Sequence, residues 1–174
     1  MLINVNKYWF VILMAFVLSC GSGEQKFKSV STDKFTIDIQ DYMVEMDFQN
    51  PEAALQYGND LESFYIVVIR ESHEKLATFG FQMNLDEYSD LMITYAQASI
   101  GNASIKALEY KPLDIEAKGF EIEGVNNEER PIYYQIMYYR TDNAFYSITT
   151  WCDGHRKEHF APLMERVLNS LTEK

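Results

Sequence analysis

The chain has few cysteines, no long hydrophobic run and no excess of basic residues. Its 174 residues include only two cysteines, Cys20 and Cys152. The longest apolar run is Tyr8–Leu18, which as a helix at about 1.5 Å per residue covers roughly 16 Å. A bilayer core of about 30 Å needs about twenty apolar residues. The run is therefore too short to span a membrane and has the length of the apolar region of an export signal.

The shortage of basic residues limits the partners that the chain can have. Lys and Arg number 15 against 26 Asp and Glu, and no basic patch or arm is present. Nucleic acid is therefore not expected as a partner. Removal of residues 1–19 would take away Lys7 and leave 155 residues with a charge of −12. This acidity also disfavours electrostatic binding to anionic lipid head groups.

The residues around Cys20 predict a lipid anchor. Val17-Leu18-Ser19-Cys20 resembles a lipobox, in which an aliphatic residue, a permissive position and a small residue precede the cysteine. The Cys20 thiol is the nucleophile that lipid modification needs, and the small Ser19 gives a signal peptidase access to the bond before it. The alternatives are an ordinary secretory signal in which Cys20 is incidental, and an uncleaved membrane anchor.

This interpretation divides the chain into three parts. We predict a lipoprotein signal peptide at residues 1–19, a lipidated Cys20 with a flexible tether over residues 20–29, and a single domain over residues 30–174. With Cys20 attached to lipid, Cys152 has no partner for an internal disulfide. The stability of the domain must then come from packing, and 155 residues are enough for one hydrophobic core.

Hydrophobic periodicity predicts an order of strands, helix, four strands in a meander, and helix. Asn84 and Glu87 are spaced as a capping pair at the start of the first helix, and Gly101 is placed to end it. Tyr88, Leu91, Met92, Tyr95 and Ala96 predict its core face. Thr141-Asp142-Asn143 predicts a hairpin turn between the two best strands. The predicted strands are Phe35–Ile39, Tyr42–Phe48, Phe64–Arg70, Ser104–Tyr110, Lys118–Gly124, Pro131–Arg140 and Ala144–Cys152, and the helices are Leu85–Ile100 and Arg156–Leu171. Strands linked by hairpins, with few and separated helices, indicate an α+β fold with an antiparallel sheet.

Aromatic residues and an amphipathic terminal helix follow one another in a recognisable order in the second half of the chain. They are Tyr138-Tyr139 before a turn, Asn143–Ile148 after it, Trp151, Phe160–Leu163 and Val167–Leu171. This order resembles the C-terminal half of the PsbP-like superfamily, which includes the photosystem II extrinsic subunit, a Ran-binding nuclear-import factor and many bacterial lipoproteins. Asp41-Tyr42-Met43 stand where that family has proline and tryptophan. The resemblance implies a PsbP-like α/β/α sandwich with helices packed on the faces of an antiparallel sheet, in an accessory or binding subunit.

Cys152 and His155 are the most suggestive pair for catalysis. A thiol near a helix N-terminus with an imidazole close by could have a lowered pKa and act as a nucleophile. The favoured alternative is a buried cysteine that ends a strand, with Asp153-Gly154 turning into the helix and capping it. Cys152 alternates with Tyr146, Ile148 and Thr150, so the four side chains share one face of the sheet.

His155 and His159 are the candidate metal ligands. They are four residues apart, which would place them on one helical face if the helix already includes both, and Asp153 or Glu158 could join them. Arg156 stands where hydrolytic zinc motifs have a glutamate. The alternative is a pair of exposed surface histidines.

Other polar and aromatic groups have simpler interpretations. His73 is predicted to lie in a loop without an acid or base partner. The tyrosines of the hairpin could stack on carbohydrate or peptide if one face stays open, but cross-strand packing also explains them. Five glutamates lack calcium-loop spacing and predict a solvated sheet edge, namely Glu116, Glu121, Glu123, Glu128 and Glu129.

The sequence therefore predicts a non-enzymatic envelope lipoprotein that binds a protein or supports an envelope complex. Its membrane contact would be made by acyl chains on Cys20, and no cofactor is expected. In enteric-type bacteria, an aspartate directly after the lipidated cysteine resembles an inner-membrane retention signal. Gly21 stands at that position here, which favours the outer membrane. The alternative is a metal or small-ligand binding module that uses His155 and His159.

Overall fold

A computed structural model of the chain describes residues 26–48, 50–109 and 115–174. The predicted signal peptide, Cys20 and the first part of the predicted tether lie outside these residues. The described residues form two antiparallel sheets and three α-helices. The elements are β1 Phe27–Ser31, β2 Phe35–Gln40, β3 Val44–Glu45, β4 Ala53–Asn59, β5 Phe64–Ser72, α1 His73–Thr78, α2 Leu85–Ser99, β6 Gly101–Ala107, β7 Glu116–Val125, β8 Pro131–Arg140, β9 Ala144–Asp153, a 3₁₀ turn Gly154–Arg156, α3 Lys157–Leu168 and β10 Thr172–Glu173.

The larger sheet has seven strands in the order β3-β4-β5-β9-β8-β7-β6, and the smaller sheet has the order β1-β2-β10. Strands β6 to β9 form the predicted meander. At the β8–β9 hairpin, the Thr141 backbone N–H donates to the Ala144 carbonyl at 2.9 Å, and Thr141 Oγ1 accepts from the backbone N–H groups of Asn143 and Ala144. The predicted turn chemistry is confirmed, because local hydrogen bonds close the hairpin.

Each face of the large sheet has its own hydrophobic core. On one face, Ile66, Val68 and Met137 pack with residues of β2 and α3, including Ile37 and Phe160. On the opposite face, residues of β7, β8 and β9 pack against α2; the fully packed members there are Leu85, Tyr88, Ile122, Ile136, Tyr138 and Phe145. Helices therefore cover both faces of an antiparallel sheet, which confirms the α+β sandwich predicted from the sequence.

The start of the domain differs from the prediction. Strand β1 begins at Phe27, so Phe27–Ser29, which the sequence assigned to the flexible tether, are part of a sheet. Phe27 and Val30 pack against the main core, and the Arg166 guanidinium lies 3.6 Å from the centroid of the Phe27 ring. Two apolar residues in five were too weak a signal for a strand, and the contacts that hold β1 are distant in sequence.

Other corrections also involve short or polar elements. The predicted strand Tyr42–Phe48 is reduced to Val44–Glu45, while β4, which follows Asn50-Pro51, was not predicted. β10 was also missed, because its two residues are ordered by pairing with Thr36 and Phe35 of β2. These elements depend on neighbouring strands more than on local pattern.

Helix α2 has the predicted cap, and its predicted core face is confirmed for Tyr88, Met92 and Ala96. Asn84 Oδ1 accepts from the Glu87 backbone N–H at 2.9 Å, and Glu87 Oε2 accepts from the Asn84 N–H at 3.0 Å. The buried residues are Leu85, Tyr88 and Ser89. Leu91 and Tyr95, predicted to be core, are exposed, because 3.6 residues per turn place them on the flank of this buried side.

Candidate binding surface

Cys152 lies inside the core and does not form a nucleophilic pair with His155. The Cys152 side chain is buried near the end of β9, on the same face as Tyr146 and Ile148. The pKa of Cys152 is raised to about 12, chiefly by burial and also by the Asp153 charge, while Arg156 acts in the opposite direction. The hypothesis of a lowered pKa is therefore wrong, because a thiol in apolar surroundings is harder to ionise. The alternative of a strand-ending buried cysteine is confirmed.

His155 and His159 do not share a helical face. His155 belongs to the 3₁₀ turn, and α3 begins only at Lys157, so the helical periodicity that the metal hypothesis needs is missing. Asp153 Oδ1 caps this turn by accepting from the His155 backbone N–H at 2.8 Å. Both histidines are exposed, and the His159 ring packs edge-on against Phe160. Within residues 26–48, 50–109 and 115–174, no three His, Cys, Asp or Glu side chains come together to hold a metal ion.

His73 has partners that the sequence did not indicate. It is the first residue of α1, its Nε2 lies 2.9 Å from the Thr141 carbonyl oxygen, and its ring packs edge-on against Phe145. The loop prediction is therefore wrong. His73 connects α1 to the β8–β9 hairpin, which is a structural role.

The acidic residues of β7 are paired rather than lying at a free edge. β7 has β6 and β8 as neighbours, so it is an inner strand of the sheet. The Lys157 Nζ lies 2.6 Å from Glu123 Oε1 and 3.8 Å from Glu121 Oε2, and Glu116 pairs with Arg140 at 3.0 Å. The predicted solvated edge is wrong for β7, since these glutamates join it to α3 and β8.

Aromatic side chains from adjacent strands form a row on the α2 side of the large sheet. Tyr134, Trp151 and Tyr65 face one another across β8, β9 and β5. The Trp151 ring centroid lies 6.1 Å from that of Tyr134 and 5.2 Å from that of Tyr65. Phe48 packs on Tyr65 and Trp151 at centroid distances of 5.8 and 5.4 Å. These four residues, named here the aromatic row, are half-buried and keep part of their surface in solvent.

Gly58 provides the space that this arrangement needs. It is the cross-strand partner of Tyr65 in β4. A methyl group on Gly58 would lie 2.5 Å from Tyr65 Cδ1 and 2.6 Å from Met46 Sδ. The missing side chain therefore leaves the volume that Tyr65 and Met46 occupy.

Helix α2 lies over the other part of this sheet face. The Tyr88 ring stacks on Phe145 at 4.3 Å, and its hydroxyl donates to Glu71 Oε2 at 2.8 Å. Lys118 Nζ of β7 bonds to Asp86 and Asp90 at 3.1 and 3.0 Å. The helix is thus fixed over β7, β8 and the far ends of β5 and β9, while the aromatic row lies toward the opposite ends of β5 and β9.

A shallow polar cleft of about 800 Å³ lies at the β8–β9 hairpin, where Asn143, Asn169 and Glu173 are among its lining residues. Beside it, the Tyr146 hydroxyl donates to Glu173 Oε1 at 2.9 Å and accepts from Arg70 Nε at 3.0 Å. These bonds attach β10 to the large sheet. The charged groups beside the cleft are therefore engaged in a structural contact.

Comparison with solved structures identifies the fold. The chain is similar to cyanobacterial PsbP from Synechocystis sp. PCC 6803, with a TM-score of 0.56 and 16% identity, over 88% of this chain and 96% of that one. The chain has the PsbP-like fold. No family model matches the chain, and no curated protein matches it by sequence.

Two further structures share this PsbP-like architecture. LpqN of Mycobacterium tuberculosis, described as involved in cell envelope biogenesis, matches with a TM-score of 0.57 and 8% identity, over 87% of this chain and 92% of that one. A Pseudomonas aeruginosa protein of unknown function matches with a TM-score of 0.53 and 10% identity, over 85% of this chain and 97% of that one. The fold expected from the resemblance is confirmed.

Proposed function

We propose that this protein is an envelope lipoprotein, anchored through acyl chains on Cys20, whose PsbP-like domain binds a protein partner without catalysing a reaction. The anchor is supported by the apolar run that ends at Leu18 and by the small Ser19 before Cys20. An envelope location is further supported by the likeness to LpqN, which is described as involved in cell envelope biogenesis. Gly21 favours the outer membrane. No helix among the described residues has the length and apolar character needed to cross a bilayer.

The aromatic row carries the binding part of this proposal. Tyrosine and tryptophan dominate the energetics of protein interfaces, because each combines a large apolar surface with a polar group. Trp151 has the Tyr65 ring on one side and the Tyr134 ring on the other, and it is held in place before any partner arrives. A preorganised aromatic surface loses little side-chain entropy on binding.

The chemistry of the other candidate residues supports a binding role over a catalytic one. The Cys152 thiol is buried and protonated at neutral pH, and Asp153 already accepts a hydrogen bond as a cap. Both groups contribute to the end of β9 and the start of α3.

The proposal is tested by recovering partners from detergent-solubilised membranes with the full-length, tagged protein. We compare the unchanged protein with Trp151→Ala, which removes the centre of the aromatic row. Tyr95→Ala is the matched control, because Tyr95 is an aromatic residue on the flank of α2 that is 64% exposed. Thermal unfolding of each variant checks that the domain remains folded.

We expect the unchanged protein and Tyr95→Ala to recover the same partner, and Trp151→Ala to lose most of it. Equal recovery by all three would remove the aromatic row as the binding surface. The absence of a reproducible partner would contradict protein binding. Trp151-dependent binding to purified peptidoglycan, with no protein recovered, would replace the protein partner by a glycan.

A further inference from the structure

The position of β1 limits how far the domain can lie from its anchor. This limit on distance rests on the proposed acylation of Cys20. Six residues, 21–26, separate Cys20 from Phe27, the first residue of β1. A fully extended chain spans at most about 3.6 Å per residue, so the seven steps from Cys20 to Phe27 reach about 25 Å. The end of the domain that contains Phe27 can therefore lie no farther than about 25 Å from the lipid surface.

Two turns lie at this same end of the domain. Phe27 pairs with Gln40, and the Asp41 backbone N–H donates to the Lys26 carbonyl at 3.0 Å, so the turn after β2 is adjacent to the start of β1. The Tyr42 carbonyl in that turn accepts from Asn59 Nδ2 at 3.3 Å. Asn59 ends β4, and its Oδ1 accepts from the Glu62 backbone N–H at 3.0 Å. The β4–β5 turn is therefore linked directly to the turn beside β1.

Three exposed apolar side chains lie at this end, while others are exposed around α1 and α2, including Phe79, Phe81 and Tyr95. Leu61, within the β4–β5 turn, is 93% exposed, Val44 is 60% exposed and Tyr42 is 38% exposed. We name these three residues the anchor-end patch. Single exposed apolar residues are common on protein surfaces, but a group of them around an attachment point indicates a contact surface.

Three charged groups beside the patch, those of Asp60, Glu62 and Lys28, have partners within the domain. Asp60 Oδ1 accepts from the Tyr65 hydroxyl at 3.1 Å, and Glu62 Oε2 lies 2.5 Å from Arg156 Nη2. Lys28 Nζ donates to the carbonyl oxygens of Asp41 and Met43. A surface at this end would therefore contact lipid through its apolar side chains, and not through a free basic cluster.

We propose that the anchor-end patch lies against the bilayer that holds the acyl chains, with Leu61 in the interfacial region and Tyr42 at the level of the head groups. Tyrosine favours the membrane interface because its ring is apolar and its hydroxyl is polar. The anchor keeps the patch at a high effective concentration near lipid, so a weak contact is sufficient. Trp151 and Tyr65 lie in the same cross-strand row as Val44. The aromatic row would then be presented close to the membrane, where a membrane-bound partner can reach it.

An environment-sensitive fluorophore on an introduced cysteine tests this orientation. Leu61→Cys places the probe in the patch, and Phe79→Cys is the matched control. Phe79 is 68% exposed and follows α1, at the other end of β5. The nine residues of β5 separate the two ends by about 30 Å. Cys152 is buried and will not compete for the label. The purified acylated protein is reconstituted in vesicles of phosphatidylethanolamine and phosphatidylglycerol, with and without doxyl-labelled lipid.

We expect blue-shifted emission and at least twofold quenching by doxyl lipid at position 61, and emission typical of water at position 79. Equal, water-like emission from both positions in protein with an acylated N-terminus would overturn the orientation and leave the proposed anchor intact. Protein whose mature N-terminus carries no lipid would contradict the proposed anchor itself. Quenching at position 79 but not at position 61 would reverse the orientation and also overturn the proposal.

Discussion

At the scale of single residues, burial determines the chemistry of Cys152. The thiol lies in the hydrophobic core on one face of the large sheet, and burial raises its pKa to about 12. We predict that iodoacetamide at pH 8 modifies Cys152 at least a hundredfold more slowly in the native protein than in the urea-unfolded protein. Mass spectrometry of digested samples measures this ratio, with the unfolded protein as the control. Rapid stoichiometric labelling of the native protein would restore Cys152 as a candidate nucleophile.

The sequence predicted which face Cys152 occupies but not its surroundings. Alternation with Tyr146 and Ile148 is a local property of one strand, and it was sufficient to place the side chain correctly. The pKa depends on what covers that face, and α3 and β2 supply the cover from distant parts of the chain. The position of His73 was missed for the same reason, since its hydrogen-bond acceptor is the Thr141 carbonyl.

At the scale of elements, the capping box stabilises the start of α2. Asn84 and Glu87 satisfy each other's backbone N–H groups, which have no partner within the helix. We predict that Asn84→Ala lowers the free energy of unfolding by about 1 kcal/mol. Urea unfolding measures this change. Gln97→Ala, at an exposed position later in the same helix, is the control and should change stability by less than about 0.5 kcal/mol. Equal effects of the two substitutions would contradict the role of the cap.

The sequence located α2 well but predicted only part of its buried face correctly. Caps are local, so Asn84, Glu87 and the end before Gly101 could be recognised from a few residues. The buried side is selected by the sheet, where Phe145 stacks on Tyr88 and Lys118 bonds to Asp86. No pattern within the helix distinguishes this side from one that includes Leu91 and Tyr95. The four strands of the meander were predicted more completely, because each pairs with the strand next to it in the sequence.

At the scale of the whole molecule, β10 joins the two sheets. Its backbone pairs with β2 of the small sheet, while the Glu173 side chain accepts from Tyr146 and lies 3.7 Å from Arg70 in the large sheet. We predict that Glu173→Ala destabilises the domain by about 1–3 kcal/mol, because it leaves a partly buried Arg70 and the Tyr146 hydroxyl with fewer partners. Thermal unfolding measures the loss, and Glu128→Ala, at an exposed turn, is the control. A loss no larger than that of the control would contradict this role of β10.

Buried tyrosines should make the whole domain sensitive to alkaline pH. Burial raises the pKa of Tyr146 to about 12, and it raises the pKa of Tyr88 and Tyr138 above the ordinary value. Tyrosine in the unfolded chain ionises near pH 10. Above about pH 9 the unfolded state therefore binds fewer protons than the folded state, and stability falls as the pH rises toward 12.

We predict that the urea midpoint is constant between pH 7 and pH 8, begins to fall as the Cys152 thiol of the unfolded chain ionises, and decreases steadily from pH 9 to pH 11. Tyrosinate absorbance provides the control, since the unfolded protein should ionise at lower pH than the native protein. A urea midpoint that stays constant or rises between pH 9 and pH 11 would contradict the burial of these hydroxyl groups.

The shortest strands are the part of the fold that the sequence did not predict. β3 and β10 contain two residues each, and β1 contains two apolar residues in five, so none carries a periodic signal. They form because longer strands offer them backbone partners and because Phe27 covers the core. The aromatic row combines residues from four segments, with the space left by Gly58, and the sequence indicated a stacking surface only for the hairpin tyrosines.

The acylation of Cys20 is the claim on which the envelope location and the membrane-facing orientation both depend. Mass spectrometry of the N-terminal peptide, after extraction from membranes with detergent, tests it directly. The account predicts a mature chain that begins at Cys20, with acyl chains adding several hundred daltons to the peptide mass. A peptide that retains Met1, or that starts elsewhere with an unmodified amine, would contradict it.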